Sequence, residues 1–341
     1  MRDKDGKKFS KSSGNNIDPI EVINEYGCDA LRISVLSGIS PGNDSRFYTE
    51  KVEASRNLVN KLWNISRFVF SDVGRRTSVV EVKPKTLADK WILARFSETT
   101  KKVGMLMDRY DFSLAIEVLR EFTWTDFADW YLEIAKIEKE KDDVLLYILE
   151  RLLILWHPFA PFVTEEIYRN FDTGLIVIAK WPAIEHELSS EELAAFSSVQ
   201  ESIIAIRNYL SEHKTLPKDV ESIVIANAGV LGDMAPIIGG LTKVKDVRTS
   251  DDRPESITPI VVGGAQIFVQ LPVVDAASEK IRIESEIADV AKFIAAQEAK
   301  LANEDFVQRA PEKVIAGERQ KLADLQEKFA ALQKEHAALV S

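Results

Sequence analysis

Thr49-Glu-Lys-Val-Glu-Ala-Ser-Arg-Asn-Leu-Val-Asn-Lys-Leu-Trp-Asn-Ile-Ser-Arg-Phe-Val-Phe-Ser-Asp-Val73 sets its apolar residues at three-to-four spacing. Val52, Leu58, Val59, Leu62, Trp63, Ile65, Phe68 and Val69 recur as one face of a long helix. Working outward, the same period predicts helices over 86–109, 111–138, 142–156 and 162–170, with Asp111 as a cap and Pro158 as a stop. Long amphipathic helices with short joints describe an antiparallel bundle. Trp91, Phe122, Trp124, Trp130 and Trp156 are expected in its core, with exposed stacking as the alternative for any one of them.

Upstream, residues 1–15 read as a polar loop containing Lys4, Lys7, Lys8, Lys11, Gly6 and Gly14. Asp18-Pro19 opens a short helix to Tyr26, Gly27 stops it, and a second runs from Asp29 to about Gly38. Downstream, Leu175–Ala179 reads as a β-like run and 190–212 as a helix. Ser222–Ala226, Pro259–Val262 and Ala265–Leu271 read as strands, with Gly239-Gly240 and Gly263-Gly264 as turns, so 190–275 is a small α/β domain. In the last 66 residues, Ile283, Ile287, Val290, Ile294 and Leu301 form one heptad seam, interrupted by Gln297. Leu322, Leu325, Phe329, Leu332 and Leu339 form another, with His336 in it. The break from Ala302 to Pro311 favours an antiparallel coiled-coil hairpin over a dimerising coiled coil.

Composition narrows the function classes. The net charge of −10 argues against a protein that coats nucleic acid non-specifically. Residues 1–80 nevertheless hold 13 Lys and Arg against 10 Asp and Glu, an excess that ordinary fluctuation also produces. No apolar run is long enough to span a membrane and the N-terminus is no signal peptide. One cysteine, Cys28, builds neither a disulfide nor a cysteine-rich zinc site, and His157, His186, His213 and His336 are scattered. The reading is a cytoplasmic protein with no bound metal.

Chemistry concentrates in Lys8-Phe-Ser-Lys-Ser-Ser-Gly-Asn15. Two lysines three apart in a Ser/Gly loop can meet the charge of a polyphosphate, with hydroxyls of Ser10 and Ser12 adding hydrogen bonds. On composition alone, a solvated surface loop is the commoner description of such a Lys/Ser run. The run resembles the KMSKS loop of class I aminoacyl-tRNA synthetases, with Phe9 in place of methionine. Asp29-Ala-Leu-Arg32, Ser55–Asn64 with Arg67-Phe68, His157-Pro-Phe-Ala-Pro-Phe-Val-Thr-Glu-Glu166 and Trp181-Pro182 follow in the order of the valine, isoleucine and leucine enzymes. Ala205-Ile-Arg-Asn208, Leu216-Pro217, Asn303–Val314 and Glu318–Leu322 resemble the linking domain and hairpin of the valyl-tRNA synthetases.

The resemblance implies a mainly α chain of four parts. These are the loop and end of a catalytic domain (1–45), a helical-bundle anticodon-binding domain (46–189), the small α/β domain (190–275) and the coiled-coil tRNA-binding arm (276–341). It implies Lys8 and Lys11 as catalytic residues, and Lys11, Ser10 and Ser12 as contacts to ATP phosphates, with magnesium as the counter-ion of ATP. It implies valine tRNA as partner of a monomer, and a helix-end, structural role is preferred for His157. Arg56, Asn57, Lys61 and Asn64 can approach RNA or form a solvated face; Lys292, Lys300 and Arg309 are the arm's candidates. The chain starts at the loop and has no His-x-Gly-His motif, so it is expected to be a fragment or one piece of a split protein. The missing catalytic and editing domains would be its partners, and alone it is expected to activate no amino acid. An isoleucyl-type synthetase fragment and a non-catalytic helical interaction protein remain as alternatives.

Overall fold

The computed structural model describes residues 2–10, 15, 17–39, 44–73, 81–171, 174–183, 186–250, 254, 257–271 and 276–302, and residues 315, 317–323, 325–326, 329–330 and 333 beyond them. The chain divides into two compact units, Met1–Gln270 and Leu271–Ser341.

The first unit opens with two short helices, α1 (Pro19–Tyr26) and α2 (Cys28–Leu36). Asp18 caps α1 through a 2.8 Å bond from the backbone N–H of Ile20, and Pro19 begins it. The bundle follows: α3 (Thr49–Val73), α4 (Leu87–Asp108), α5 (Phe112–Glu121), α6 (Leu132–Ile137), α7 (Asp142–Trp156) and α8 (Pro161–Tyr168). The predicted 111–138 helix is therefore not continuous: Phe122–Tyr131 winds as a π-helix between α5 and α6. Its rings explain the pitch. Phe122, Phe127 and Tyr131 stack in the core, with centroids 6.2 and 6.3 Å apart and planes within 7° and 14°. That repeat of four to five residues suits i→i+5 winding and not 3.6 residues per turn.

Trp91, Phe122 and Trp156 are buried as expected. Trp156 Nε1 donates to Thr123 Oγ1 at 2.9 Å, so its polar edge is satisfied inside. Trp130 is half-buried, and Trp124 is 36% exposed, contrary to the core expectation.

One buried charge network joins the bundle. Lys141 and Asp89 side chains are 3% and 2% exposed, and Lys141 Nζ donates to Asp89 Oδ1 at 2.7 Å. Its other two donors meet Thr86 Oγ1 (2.8 Å) and Glu138 Oε2 (2.6 Å). Tyr131 also donates to Asp89 Oδ1 at 2.7 Å. Burial pushes the Asp89 carboxyl up, but the hydrogen bonds from Lys141 and Tyr131 outweigh burial and hold it below the usual range.

Leu175–Ala179 is not a strand. Ile176–Ile178 forms a 3-10 turn, with Ile176 buried and Val177 and Ile178 largely exposed. The run is apolar, but among the described residues no strand pairs with it; the N–H of Ile176 goes instead to Glu165 Oε2 at 3.2 Å.

Next come α9 (Ser190–Glu212), β1 (Ser222–Ala226), α10 (Val230–Asp233), α11 (Ala235–Thr242), β2 (Val247–Thr249), β3 (Ile260–Val262) and β4 (Ala265–Gln270). The sheet order is β2-β1-β4-β3, with β1–β2 parallel and the other pairs antiparallel. Gly263 and Gly264, at φ of +56° and +89°, make the two-residue β3–β4 turn. Gly239-Gly240 is not a turn but lies inside α11. A Cβ on Gly240 would come within 2.4 Å of Ile137 Cδ1, so this glycine permits the close approach of α11 to α6. A capping box of Ser189 and Glu192 starts α9, and Phe196 stacks on Trp91 at 4.3 Å, seating this part on α4.

The second unit contains α12 (Ala276–Ala302) and helical residues between 315 and 333. Along α12, Ile287, Val290, Ile294, Gln297 and Leu301 are less exposed than the described residues around them; along the later segment, Ile315, Glu318, Leu322, Leu325 and Phe329 are. Both stripes step alternately by three and four. The polar interruptions meet: Gln297 Nε2 donates to Glu318 Oε2 at 2.6 Å and to its backbone carbonyl at 3.1 Å. Lys300 and Lys321 add ion pairs at 2.8 and 2.9 Å. Lys300, then Gln297 and Lys321, hold the Glu318 carboxyl down to about 2 from 4.5.

The folded-state value is depressed, so the stabilisation is complete above about pH 4.5 and is lost as pH falls towards 2. Hydrogen exchange of amides 290–301 is expected to accelerate across that window. Glu318→Gln is expected to remove that acceleration; an unchanged profile in Glu318→Gln would contradict the assignment.

Candidate functional site

The N-terminal loop is held at three levels. Arg2 pairs through its backbone with the 45–47 segment, by bonds of 2.8 Å from Arg2 N to Ser45 O and from Phe47 N to Arg2 O. Its guanidinium reaches Asp44 at 2.6 Å and the carbonyl of Gly6 at 3.1 Å. Asp3 then closes a turn, accepting from the N–H groups of Lys7 (2.8 Å) and Asp5 (3.1 Å). Asn15 is the clasp: Nδ2 donates to Asp3 Oδ2 (2.9 Å) and to the Lys8 carbonyl (3.3 Å), and Oδ1 accepts from Ser10 N (3.1 Å). The Asn15 hydrogen bond is the main reason that the Asp3 carboxyl lies below its usual range.

Phe9 packs on the cluster of Ala30, Phe47 and Val52, leaving Lys8 exposed. Among the described residues Lys8 makes no ion pair. Lys11 and Ser12 lie outside the described residues, and Ser10 is half-buried.

The helix beneath Phe9 is tied to the bundle. Asp29 on α2 is 5% exposed and accepts from the backbone N–H groups of Phe162 (3.3 Å) and Val163 (2.7 Å), capping α8, whose own N-cap residue, Ala160, offers no side-chain bond. Burial pushes the Asp29 carboxyl up, against these hydrogen bonds. One turn on, Arg32 donates to the carbonyls of Pro158 (3.0 Å) and Phe159 (3.3 Å). His157 Nδ1 lies 2.8 Å from Thr164 Oγ1, closing the α7–α8 corner, and burial lowers its pKa. Thus Asp29-Ala-Leu-Arg32 and 157–164, two runs singled out in the sequence, meet in one clamp, and Ala30 between its charges belongs to the seat of Phe9.

On α3, Arg56, Asn57, Trp63, Asn64, Arg67 and Ser71 are exposed. A cleft of about 560 Å³ opens between α3 and α8, lined by Trp63, Asn64, Arg67, Phe68, Phe70 and Asn170. An aromatic wall with amide and guanidinium groups suits an unstacked nucleobase. Lys61 is committed: it pairs with Asp129 at 3.1 Å. In the second unit, Lys292 pairs with Asp289 and Lys300 with Glu318, while Arg309 lies outside the described residues. Among the described residues no group of His, Cys, Asp and Glu is arranged to hold a metal, and no helix is long and apolar enough to cross a membrane.

Comparison with known families places three matches in chain order. Residues 1–47 match the class I tRNA synthetases (I, L, M and V), and residues 89–225 match the anticodon-binding domain of tRNA ligase. Residues 275–339 match the valyl tRNA synthetase tRNA binding arm. The valine–tRNA ligase of Listeria monocytogenes is 38% identical over 354 residues, which is 97% of this chain and 40% of that protein. The chain corresponds to the C-terminal region of a valyl-tRNA synthetase. The ligase of Geobacillus stearothermophilus is also 38% identical, over 99% of this chain and 41% of its own length. The chain therefore spans about 40% of the length of the curated relatives it matches. Among solved structures, the Agrobacterium radiobacter LeuRS–tRNA–LeuAMS complex matches at a TM-score of 0.48 and 26% identity, over 54% of this chain and 23% of that one. The arm match favours the valine reading over the isoleucine-type alternative.

Sequence reasoning missed the Asn15 clasp and the Asp29–α8 cap. A Gly-Asn pair and an acidic residue at a helix start were visible, but their partners lie elsewhere in the fold.

Proposed function

We propose that this chain is the tRNA-binding part of the enzyme that uses ATP to join valine to its tRNA. The observation that carries the reading is the arm match at 275–339 on a segment whose two helical stretches carry facing polar residues in heptad stripes. The four-part division then follows: loop and catalytic remnant (1–45), anticodon-binding bundle (46–189), linking α/β domain (190–275) and antiparallel coiled-coil arm (276–341). Lys8 and Lys11 neutralise charge that builds on pyrophosphate as it leaves ATP, and Ser10 and Ser12 hydrogen-bond the phosphates. The exposed Lys8 ammonium on a clasped backbone fits that role. Magnesium accompanies ATP in the complete enzyme, which works as a cytoplasmic monomer. The cleft beside Trp63 and Arg67 takes an unpaired base of the anticodon loop.

The test is binding of the purified chain to valine and isoleucine tRNA transcripts, each at two salt concentrations. A preference for valine tRNA at fixed salt, on top of a salt-dependent phosphate contribution, is the expected result. Equal affinity for both would remove the specificity claim. No binding, with clean self-association, would favour the interaction-protein reading.

A further inference from the structure

The π-helical segment has an outward face as well as a core face. In an α-helix, residues 124 and 129 point about 140° apart. In i→i+5 winding they come to within about 50° of each other. The structure uses that alignment: Lys61 of α3 pairs with Asp129 at 3.1 Å and sits over the Trp124 ring at 4.8 Å. The same pitch that stacks Phe122, Phe127 and Tyr131 inside therefore puts Trp124 and Asp129 on either side of one lysine outside.

Trp124 is held at the surface, 36% exposed, although burying a tryptophan is strongly favourable. Lys61 lies over its ring and pairs with Asp129, and one turn along α3 from Lys61 the exposed Asn64 lines the cleft. Lys136 lies 5.5 Å from the centre of the Phe68 ring, which lines the same cleft. A protein partner would call for a contiguous apolar patch. A rigid ring set among amide and charged groups suits the face of an unstacked base. Lys61 is neutralised by Asp129, so the contact is stacking and not phosphate attraction.

We propose that the π-helical turn makes Trp124 a stacking platform for a single-stranded nucleotide, one helical turn along α3 from the Trp63–Arg67 cleft. The inference rests on the tRNA-binding reading above and adds a second base contact to it.

The test is fluorescence-anisotropy binding of the full chain to a short RNA stem–loop carrying a valine anticodon, at two salt concentrations. Trp124→Leu keeps apolar volume against α3 and removes the π face; Trp124→Phe keeps a π face. Trp124→Leu is expected to bind roughly 5- to 150-fold more weakly with an unchanged salt slope, and Trp124→Phe to keep most of the affinity. Wild-type affinity in Trp124→Leu, or equal losses in the two variants, would overturn the platform while leaving tRNA binding intact. A wild-type chain that does not bind the stem–loop would overturn the parent reading and this inference with it.

Discussion

Lys141→Ala is expected to destabilise the 1–270 unit by about 3–5 kcal/mol. The ammonium is 3% exposed and its three hydrogen bonds go to Thr86, Asp89 and Glu138. Removing it leaves the Asp89 carboxylate buried, with Tyr131 and the backbone N–H groups of Lys85 and Thr86 as its remaining donors. An unpaired buried charge costs more than the ion pair contributes. The double variant Lys141→Met with Asp89→Asn is therefore expected to recover much of the loss. All six tryptophans precede residue 182, so urea unfolding followed by tryptophan fluorescence reports on this unit alone. A Lys141→Ala midpoint within error of wild type would show that the pair is dispensable.

Asp29→Ala is expected to cost about 3 kcal/mol, the scale of two hydrogen bonds to a charged acceptor. The carboxylate caps α8 from more than 130 residues away, and nothing on Ala160 replaces it. Desolvation of Asp29 offsets part of this, as the upward push on its pKa indicates. The consequence extends to the loop, because α2 seats Phe9 through Ala30. Amides 7–10 are therefore expected to exchange faster in Asp29→Ala, together with those of α8. Faster exchange in α8 with an unchanged loop would separate the clamp from the loop and reject the coupling.

Most helices were legible because each has a local cause. The three-to-four spacing of Val52, Leu58, Leu62, Ile65 and Val69 is a property of one segment, and all five are buried. Asp18-Pro19 and Ser189–Glu192 mark helix starts within four residues. The misreadings share a different cause. Gly239-Gly240 has the composition of a turn, and only Ile137, about a hundred residues away, explains why glycine is required inside a helix. Leu175–Ala179 has the composition of a strand and, among the described residues, no partner to make it one. The β2 strand, Val247–Thr249, is too short to announce itself and exists through its parallel pairing with β1.

The loop divides the same way. The Lys8–Asn15 run and its order with the later motifs were visible in the sequence, because residue types at fixed spacing survive without coordinates. What holds the run was not visible: Asn15 reaches Asp3, Phe9 packs on the cluster of Ala30, Phe47 and Val52, and Asp29 reaches Val163. By itself the sequence determined where most bundle helices begin and end, though not the π-helical break at Phe122–Tyr131 or the helix through Gly239-Gly240, and it determined which segments carry heptads and which loop carries the lysines, since those follow from neighbours along the chain. Only the tertiary structure decided that Trp124 is exposed, that Lys61 and Lys300 are already paired, and that Gln297 answers Glu318. The reason is physical: burial and charge pairing depend on which surfaces meet, and a π-helical turn or a helix crossing re-aims a side chain without changing its place in the sequence.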